Sequence, residues 1–374
     1  MAKARKKMTK PFRISETLGL TRTGILTTAH AKIKTPFFMP VATKGSVKFV
    51  SMAELDKMGF KCFISNSFLL SIRPGLEIIR KMGGLHEFVH WKKGIFTDSG
   101  GFQILNPDFL IRLTEEGVHF KNPFDNRREF LSPEKAIQIQ NNLGSDVAMC
   151  LDDVPLYGSS PMRLKESQER TFRWAKRCLA AHKNKKQLLF GVSQGGTNPT
   201  LREKSAKEIA ALDFDGFALG GLCIGEEKKQ MKKMVEKNAS LFPTEKPRYL
   251  MGVGSPKDII QSVQAGVDIF DSAFPTRTAR HGMAFSKAGN VNLKNASFKN
   301  DSKPLDTKCN CAVCQEHSRA YIGHLVRTKE ESGLQLLSFH NLFFVSQLMK
   351  DIRSAVFERS WKHLEKSYAV HRIR

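Results

Sequence analysis

Eight short apolar runs recur along the chain, at residues 36–41, 62–65, 94–97, 147–151, 188–192, 216–219, 248–253 and 267–270. Segments of helical period separate them, residues 161–182 and 199–212 among them. Buried strands read as continuous apolar runs, and strands alternating with helices pair in parallel. The pattern predicts a (β/α)8 barrel, an α/β fold, with a doubly wound open sheet as the alternative. A chain of 374 residues accommodates one barrel plus an appendage. We divide it into a basic tail at 1–11, a barrel at 12–290 that begins with a β-hairpin over 20–36, and a metal-binding helical subdomain at 291–374.

The residues at the C-terminal end of each run point to function. The third ends in Asp98-Ser99-Gly100-Gly101-Phe102-Gln103, the fourth in Asp152-Asp153-Val154 and the fifth in Gln194-Gly195-Gly196. Gly220-Gly221-Leu222 through Glu226 comes after the sixth, Gly252-Val253-Gly254-Ser255 closes the seventh, and the eighth runs into Asp271. In a barrel these ends make one rim, where active sites are built, so acidic groups and glycines gathered there predict an enzyme. A helix N-cap is the plain alternative for Asp271. Arg277, Arg280 and His281 come next in the chain and would suit a phosphate-bearing substrate. The charged stretch 227–237 reads as a solvated helix face, and His86, His90, His119 and His182 read as isolated, ordinary histidines.

Charge supports a polyanionic partner. Lys plus Arg total 60 against 36 Asp plus Glu, a net charge of +24, and nucleic acid is the usual partner for such an excess. No apolar run approaches the ~20 residues of a membrane span, and the first ten residues lack the apolar core of a signal peptide. Seven cysteines, three of them packed into residues 309–314, suit a reducing compartment and a metal site better than disulfides. The chain reads as cytoplasmic. Cys309, Cys311 and Cys314 supply three ligands of a tetrahedral zinc site, structural rather than catalytic. The fourth comes from His317, His324 or His340; helical stretches are expected over 319–331 and 335–357, and His340 would clamp them around the metal.

Taken together, Thr97 to Gln103, Gln194-Gly195-Gly196, Gly220-Gly221-Leu222, Met251 to Gly254, Phe270-Asp271 with Pro275-Thr276-Arg277, and the Cys309/Cys311/Cys314/His340 array closely resemble the tRNA-guanine transglycosylases, in the bacterial form, from about residue 12 to 365. The resemblance implies a zinc-bearing (β/α)8 barrel, commonly a homodimer. Its members exchange guanine at the wobble position of tRNAs with G-U-N anticodons for a 7-deazaguanine base. It implies Asp271 as nucleophile on the ribose C1′ and Asp98 as general acid/base. Asp152, Gln194 and the Gly221 backbone would read the base edge between the faces of Phe102 and Met251, with Ser99, Gly100, Gly101 and Leu222 lining the pocket. Gly252, Val253, Gly254, Ser255, Pro256, Lys257 and Asp258, with Thr276, Arg277, Thr278, Ala279 and Arg280, would hold the anticodon loop. His340 becomes the fourth ligand of Zn2+.

Two positions in the pocket pull apart. Asp152-Asp153-Val154 stands where bacterial members have Asp-Glu-Cys and looks like the queuine-using eukaryotic members, whereas Ile224 is large where those members have glycine. The size of Ile224 predicts preQ1, 7-aminomethyl-7-deazaguanine, as the incoming base. Other readings are direct use of queuine, a paralogue acting on DNA, a non-catalytic tRNA-binding subunit and an unrelated barrel hydrolase. The presence of both Asp98 and Asp271 argues against the subunit.

Overall fold

The computed structural model describes residues 10–368, so residues 1–9 of the expected tail and 369–374 of the expected subdomain lie outside the described residues. Eight parallel strands form one sheet: β1 Phe37–Pro40, β2 Cys62–Asn66, β3 Gly94–Asp98, β4 Val147–Met149, β5 Leu188–Ser193, β6 Gly216–Leu219, β7 Arg248–Leu250 and β8 Ile269–Ser272. They bond in the order β1-β8-β7-β6-β5-β4-β3-β2, and a parallel bridge between Val41 and Ile64 joins the ends. The sheet is therefore a nearly closed barrel and not a doubly wound open sheet.

Side chains alternate across its wall with the period of a strand. Phe37 and Met39, Cys62 and Ile64, Phe96, Val147 and Met149, Phe190 and Val192, and Tyr249 pack into one cluster inside the barrel. Their neighbours Phe38, Phe63, Ile95, Ala148, Leu189, Phe217 and Phe270 join the larger core beneath the helices. Gly216 is required by this packing, since a Cβ there would lie 2.4 Å from the Phe190 ring. Several strand ends differ from the sequence reading, that of β4 at Met149 rather than at 151 among them. β7 stops at Leu250 because Gly252 turns the chain with φ 79°, and β8 runs on through Asp271 to Ser272.

The expected hairpin is part of a three-stranded antiparallel sheet, Phe12–Leu18, Thr21–Thr27 and Lys32–Thr35. The first strand shows one fully buried residue, Phe12, and half-buried Ile14 and Leu18 among exposed polar ones, which hid it in the sequence. Phe12, Leu26 and Ile33 join the interior cluster, so this sheet plugs the barrel at the N-terminal strand ends. Arg22 fastens the plug. Its Nε and Nη2 donate to the Asp268 carboxylate at 2.9 and 2.5 Å, and its Nη1 and Nη2 to the carbonyls of Thr244 and Lys246. Both members of the pair are buried. Arg22→Ala would strand a buried carboxylate and should lower unfolding stability by about 3–5 kcal/mol, measurable by urea titration; a loss within 0.5 kcal/mol, roughly the size of a neutral surface change, would contradict this role for Arg22.

A second antiparallel sheet, Leu110–Leu113, Val118–Lys121 and Arg128–Leu131, is inserted between β3 and the helix Pro133–Leu143. Sequence reasoning missed it, although buried Val118 and Phe120 alternate with exposed His119 and Lys121. The C-terminal region carries the helices Ala312–Glu316, Arg319–Arg327, Glu331–Phe357 and Trp361–Ser367. Lys329, at φ 62°, lies in the break between the second and third. Packing is continuous across residue 290: Ala279 and Ala284 share a core with Cys311, Cys314 and Leu337, while Leu342, Val345, Leu348 and Ile352 of the same long helix enter the main core. Among the described residues no helix is long and apolar enough to cross a membrane.

Candidate active site and metal centre

Parallel strands deliver their C-terminal ends to one rim, and the predicted carboxylates meet there. Asp98 ends β3. The Gly100 N–H donates to its Oδ1 at 3.0 Å, and Gly100, at φ 79°, packs so closely on Phe68 that a Cβ would lie 2.2 Å from that side chain. Desolvation pushes Asp98 up to about 7; the Gly100 N–H works against this and the charge of Asp271 adds to it. Asn66 pairs with Asp98 in the β2/β3 register. Its Oδ1 caps the next helix through the Leu69 N–H at 2.7 Å, and its side-chain amide, turned to Asp98, favours the charged form of that carboxyl.

Asp271 is not a helix cap; Ala273 occupies that position for the helix Phe274–Arg280. Instead Tyr249 Oη–H and the Gly252 N–H donate to Asp271 Oδ1 at 2.6 and 2.9 Å. Both bonds fall on one oxygen, which leaves Oδ2 unpartnered among the described residues on a partly exposed side chain. Desolvation raises the Asp271 pKa and these two donors hold it down. The two carboxylates thus sit in unlike environments: burial raises both, Asp98 to about 7, but on Asp271 two donors to one oxygen oppose the rise. Tyr249 was not singled out from the sequence, because inside a strand it reads as packing.

Beside them lies a polar slot. Gln194 Nε2 donates to Asp152 Oδ2 at 2.5 Å, while Gln194 Oε1 is buried without a partner among the described residues. Desolvation pushes buried Asp152 up to about 7. Gly221, at φ 63°, has to be glycine, since a Cβ would lie 2.2 Å from Gln194 Oε1. Arg202, fully buried and also missed, props up the glycine turns by donating to the carbonyls of Gly220 at 2.7 Å and Gly196 at 2.8 Å. Ser99 and Leu222 are buried, Met251 is partly exposed, and Phe102 is 54 % exposed at the mouth. The Cys223 and Ile224 N–H groups donate to the Glu226 carboxylate at 2.5 and 3.0 Å. Asp153 does not line the slot in the same way: its carboxylate is taken by Arg163 and Arg170 of the helix Pro161–Ala181.

The two segments expected to meet RNA are only partly available. Val253, Gly254, Asp258, Thr276 and Ala279 are buried. Asp258 pairs with Lys228 at 2.5 Å, and Ala279 packs into the metal-region core. That narrows the accessible face to Gly252, Ser255, Pro256, Lys257, Arg277, Thr278 and Arg280. His86, read as isolated, instead joins a cluster: His86 Nε2 and His30 Nδ1 each lie 3.0 Å from the buried Asp146 carboxylate. Sequence gave no signal for it, since the three residues are far apart in the chain.

Cys309, Cys311, Cys314 and His340 converge, with their ligand atoms all within 4.8 Å of one another. His340 Nδ1 lies 3.8, 3.5 and 3.3 Å from the three sulfurs. A tetrahedral ion with Zn–S of about 2.3 Å and Zn–N of about 2.0–2.1 Å requires S···N separations near ~3.5 Å, so the array fits such an ion. His340 Nε2–H donates to the Phe285 carbonyl at 2.7 Å, which leaves Nδ1 as the free lone pair facing the sulfurs. Neither His317 nor His324 belongs to the cluster.

The chain matches the family model described as queuine tRNA-ribosyltransferase over residues 17–372. Curated proteins named queuine tRNA-ribosyltransferase are similar over nearly the whole length. That of Fusobacterium nucleatum subsp. nucleatum is 45 % identical over 365 residues, covering 97 % of this chain and 98 % of its own. Those of Pediococcus pentosaceus and Listeria innocua are each 48 % identical over 338 residues, covering 90 % of this chain and 89 % of theirs. Rim chemistry, metal cluster and sequence likeness therefore agree: the chain belongs to the queuine tRNA-ribosyltransferase family.

Proposed function

We propose that this protein exchanges the wobble guanine of tRNAs with G-U-N anticodons for a 7-deazaguanine base, without cutting the phosphodiester backbone. The observation that carries the reading is the pair of rim carboxylates in unlike environments, Asp98 pushed up to about 7 by burial and Asp271 held by two donors on one oxygen, beside the unpartnered Gln194 amide oxygen. Asp271 Oδ2 attacks the ribose C1′ as the C1′–N9 bond breaks, and Asp98 gives its proton to the departing guanine. The ribosyl ester then faces the incoming base. Asp98 takes that base's N9 proton, N9 displaces Asp271 from C1′, and both carboxylates return to their starting states. Two displacements retain the configuration at C1′. Proton management by a positioned carboxyl contributes about 10²–10⁴-fold.

In this reading Tyr249 and Gly252 hold Asp271 with Oδ2 free. Gln194 Oε1 accepts from the guanine-like edge, Asp152 bonds the same edge, and Phe102 and Met251 cover the base faces. Exposed Arg277 and partly exposed Lys257 and Arg280 meet phosphates. The Cys3His cluster would hold zinc, and the metal would supply a cross-link rather than chemistry. The homodimer remains part of the proposal, and light scattering tests it.

Labelled guanine incubated with bulk tRNA or with DNA tests the activity. Label entering tRNA supports the reading, label entering DNA identifies a paralogue, and label entering neither rejects base exchange.

Acid–base behaviour is set by Asp98. Its folded pKa is raised, to about 7, so its contribution to stability is full below the unfolded value of about 4 and is lost as pH rises through the folded one. Release of guanine in a single turnover should therefore decline as pH rises through 7. Asp98→Asn should abolish that profile and melt above the wild type at pH 8. An unchanged pH profile in the variant would remove Asp98 from the proton step.

Base choice is set by the loop after β6. A trans peptide sets its C=O opposite its N–H; the Cys223 N–H is held by Glu226, so the Leu222 carbonyl faces away from Glu226. It lies 4.0 Å from where a Gly252 Cβ would be. It can accept from the aminomethyl group of preQ1. Queuine carries a cyclopentenediol on that amine and meets the Ile224 side chain. Overpacking of this kind costs about 1–3 kcal/mol, roughly ten- to a hundredfold in affinity. With Asp153 locked to two arginines, that position speaks to the scaffold rather than to base size. preQ1 should outcompete queuine in replacing labelled guanine in tRNA, and Ile224→Gly should narrow the gap. Equal use of both bases by the unaltered protein would refute the steric argument.

A further inference from the structure

A cavity of ≈ 430 Å³ lies under the inserted sheet, outside the slot at Asp152 and Gln194. This volume is within the ~300–1,000 Å³ range of ligand sites. Phe68, Phe120, Phe124 and Phe130 line it, with Arg73 at its edge. Phe68 forms a shared wall, because its other side presses on Gly100 of the Asp98 turn. The loops that frame the cavity come after β1, β2 and β3 and so belong to the rim that carries Asp98 and Asp271.

Its charge is specific as well. Lys44 Nζ and the Arg73 guanidinium lie over the Phe124 ring at 5.4 and 4.5 Å from its centroid. Both cations are exposed, and neither has a carboxylate of the described residues at ion-pair distance. The nearby acids have other partners: Asp125 pairs with Arg127, and Glu129 accepts from Asn122. A cavity with four phenylalanines among its polar lining residues, and with two cations over one of those rings that have no ion-pair partner among the described residues, is an arrangement that can take an unstacked base with its phosphate.

We infer that this cavity receives a second nucleotide of the substrate RNA, its base among the phenylalanines and its phosphate on Lys44 and Arg73, while the exchanged nucleotide occupies the slot at Asp98 and Asp271. The inference rests on the proposed RNA substrate and adds a contact on the β1–β3 side of the rim. The accessible cations after β7 and β8 stand on separate loops of the same rim, so the RNA would be held by two groups of cations rather than one.

The test measures RNA binding apart from exchange. Wild type, Lys44→Ala, Arg73→Ala, Phe124→Ala and Phe124→Leu are titrated with a tRNA anticodon stem-loop across a salt series, and the KM for guanine is taken with full tRNA. Phe124→Ala and Phe124→Leu should each raise the RNA Kd about tenfold, since leucine keeps apolar volume but has no ring to stack. Lys44→Ala and Arg73→Ala should each make the salt slope shallower by about one. KM for guanine should stay at the wild-type value in all four. The two cation variants replace exposed side chains, so they decide the matter even where Phe124→Ala destabilises the inserted sheet. Wild-type RNA affinity and salt slope in the variants would overturn the site, as would a loss confined to kcat, which would mean that the shared Phe68 wall acts on Asp98 instead. Failure of the wild type to exchange guanine would reject the proposed function separately, because binding is read without turnover.

Discussion

Asp271→Asn should reduce base exchange by at least about 10³-fold and abolish the covalent protein–RNA adduct, the largest loss expected from any single side chain here, since removal of a nucleophile costs on this scale or more. The wild type, given tRNA and no incoming base, should form an adduct that survives SDS. The amide keeps the shape of the carboxylate and can still accept the Tyr249 and Gly252 hydrogen bonds at Oδ1, so the fold and RNA binding should persist. The variant carries an uncharged NH2 group in place of the second, nucleophilic oxygen. Asp98→Asn should fail differently: RNA binds, but the departing guanine lacks its proton donor and the incoming base lacks its acceptor. An adduct persisting in Asp271→Asn would transfer the nucleophile's role to another carboxylate, Asp98 first.

This contrast between two carboxylates marks how far a sequence can be read. Asp98 and Asp271 were legible as residues because each ends an apolar run, and closure of the barrel brings such ends together. Their division of labour rests on partners that one-dimensional spacing does not display. Tyr249 lies 22 residues from Asp271, and as an aromatic in a buried strand it looks like packing. Arg202 looks like a charge on a helix face until its guanidinium is found buried against the glycine turns. The barrel was readable from periodicity because its strands are buried on both faces. The two antiparallel sheets were read in part or not at all, since short, half-exposed strands with charged outward residues mimic loops. Asp153 shows a further limit: it follows Asp152 at the same strand end, but alternation along the chain turns its carboxylate toward the helix that supplies Arg163 and Arg170.

Loss of the metal should propagate to the active site through a short chain of contacts. Cys311→Ala removes one of three thiolates, and metal content measured by mass spectrometry should fall well below one per chain. Structural zinc contributes about 10–16 kcal/mol in isolated small domains, and even a fraction of that should lower the melting temperature by on the order of 10 °C. The effect on function runs through His340 and its neighbour. His340 is bound to the Phe285 carbonyl, and Phe285 stacks on Phe274 at 6.0 Å between ring centroids. Asn341, the next residue on the same helix, accepts from the Phe285 N–H at 2.8 Å and donates to the carbonyls of Pro275 and Met283, each at 3.0 Å. These contacts hold the segment Phe274–Arg280, which begins two residues after the end of β8 and carries Arg277 and Arg280. Without the metal, that segment loses its anchor while the slot at Asp152 and Gln194, built on β4 and β5, does not. RNA affinity should therefore fall at least tenfold, a change of about 1.4 kcal/mol, with KM for the free base little altered. Asn341→Ala separates the two links, since it should weaken RNA binding with the metal still in place. A Cys311→Ala protein without metal but with wild-type melting and RNA affinity would show that the cluster does not support the fold, and normal RNA affinity in Asn341→Ala would break the proposed path from the metal to the helix.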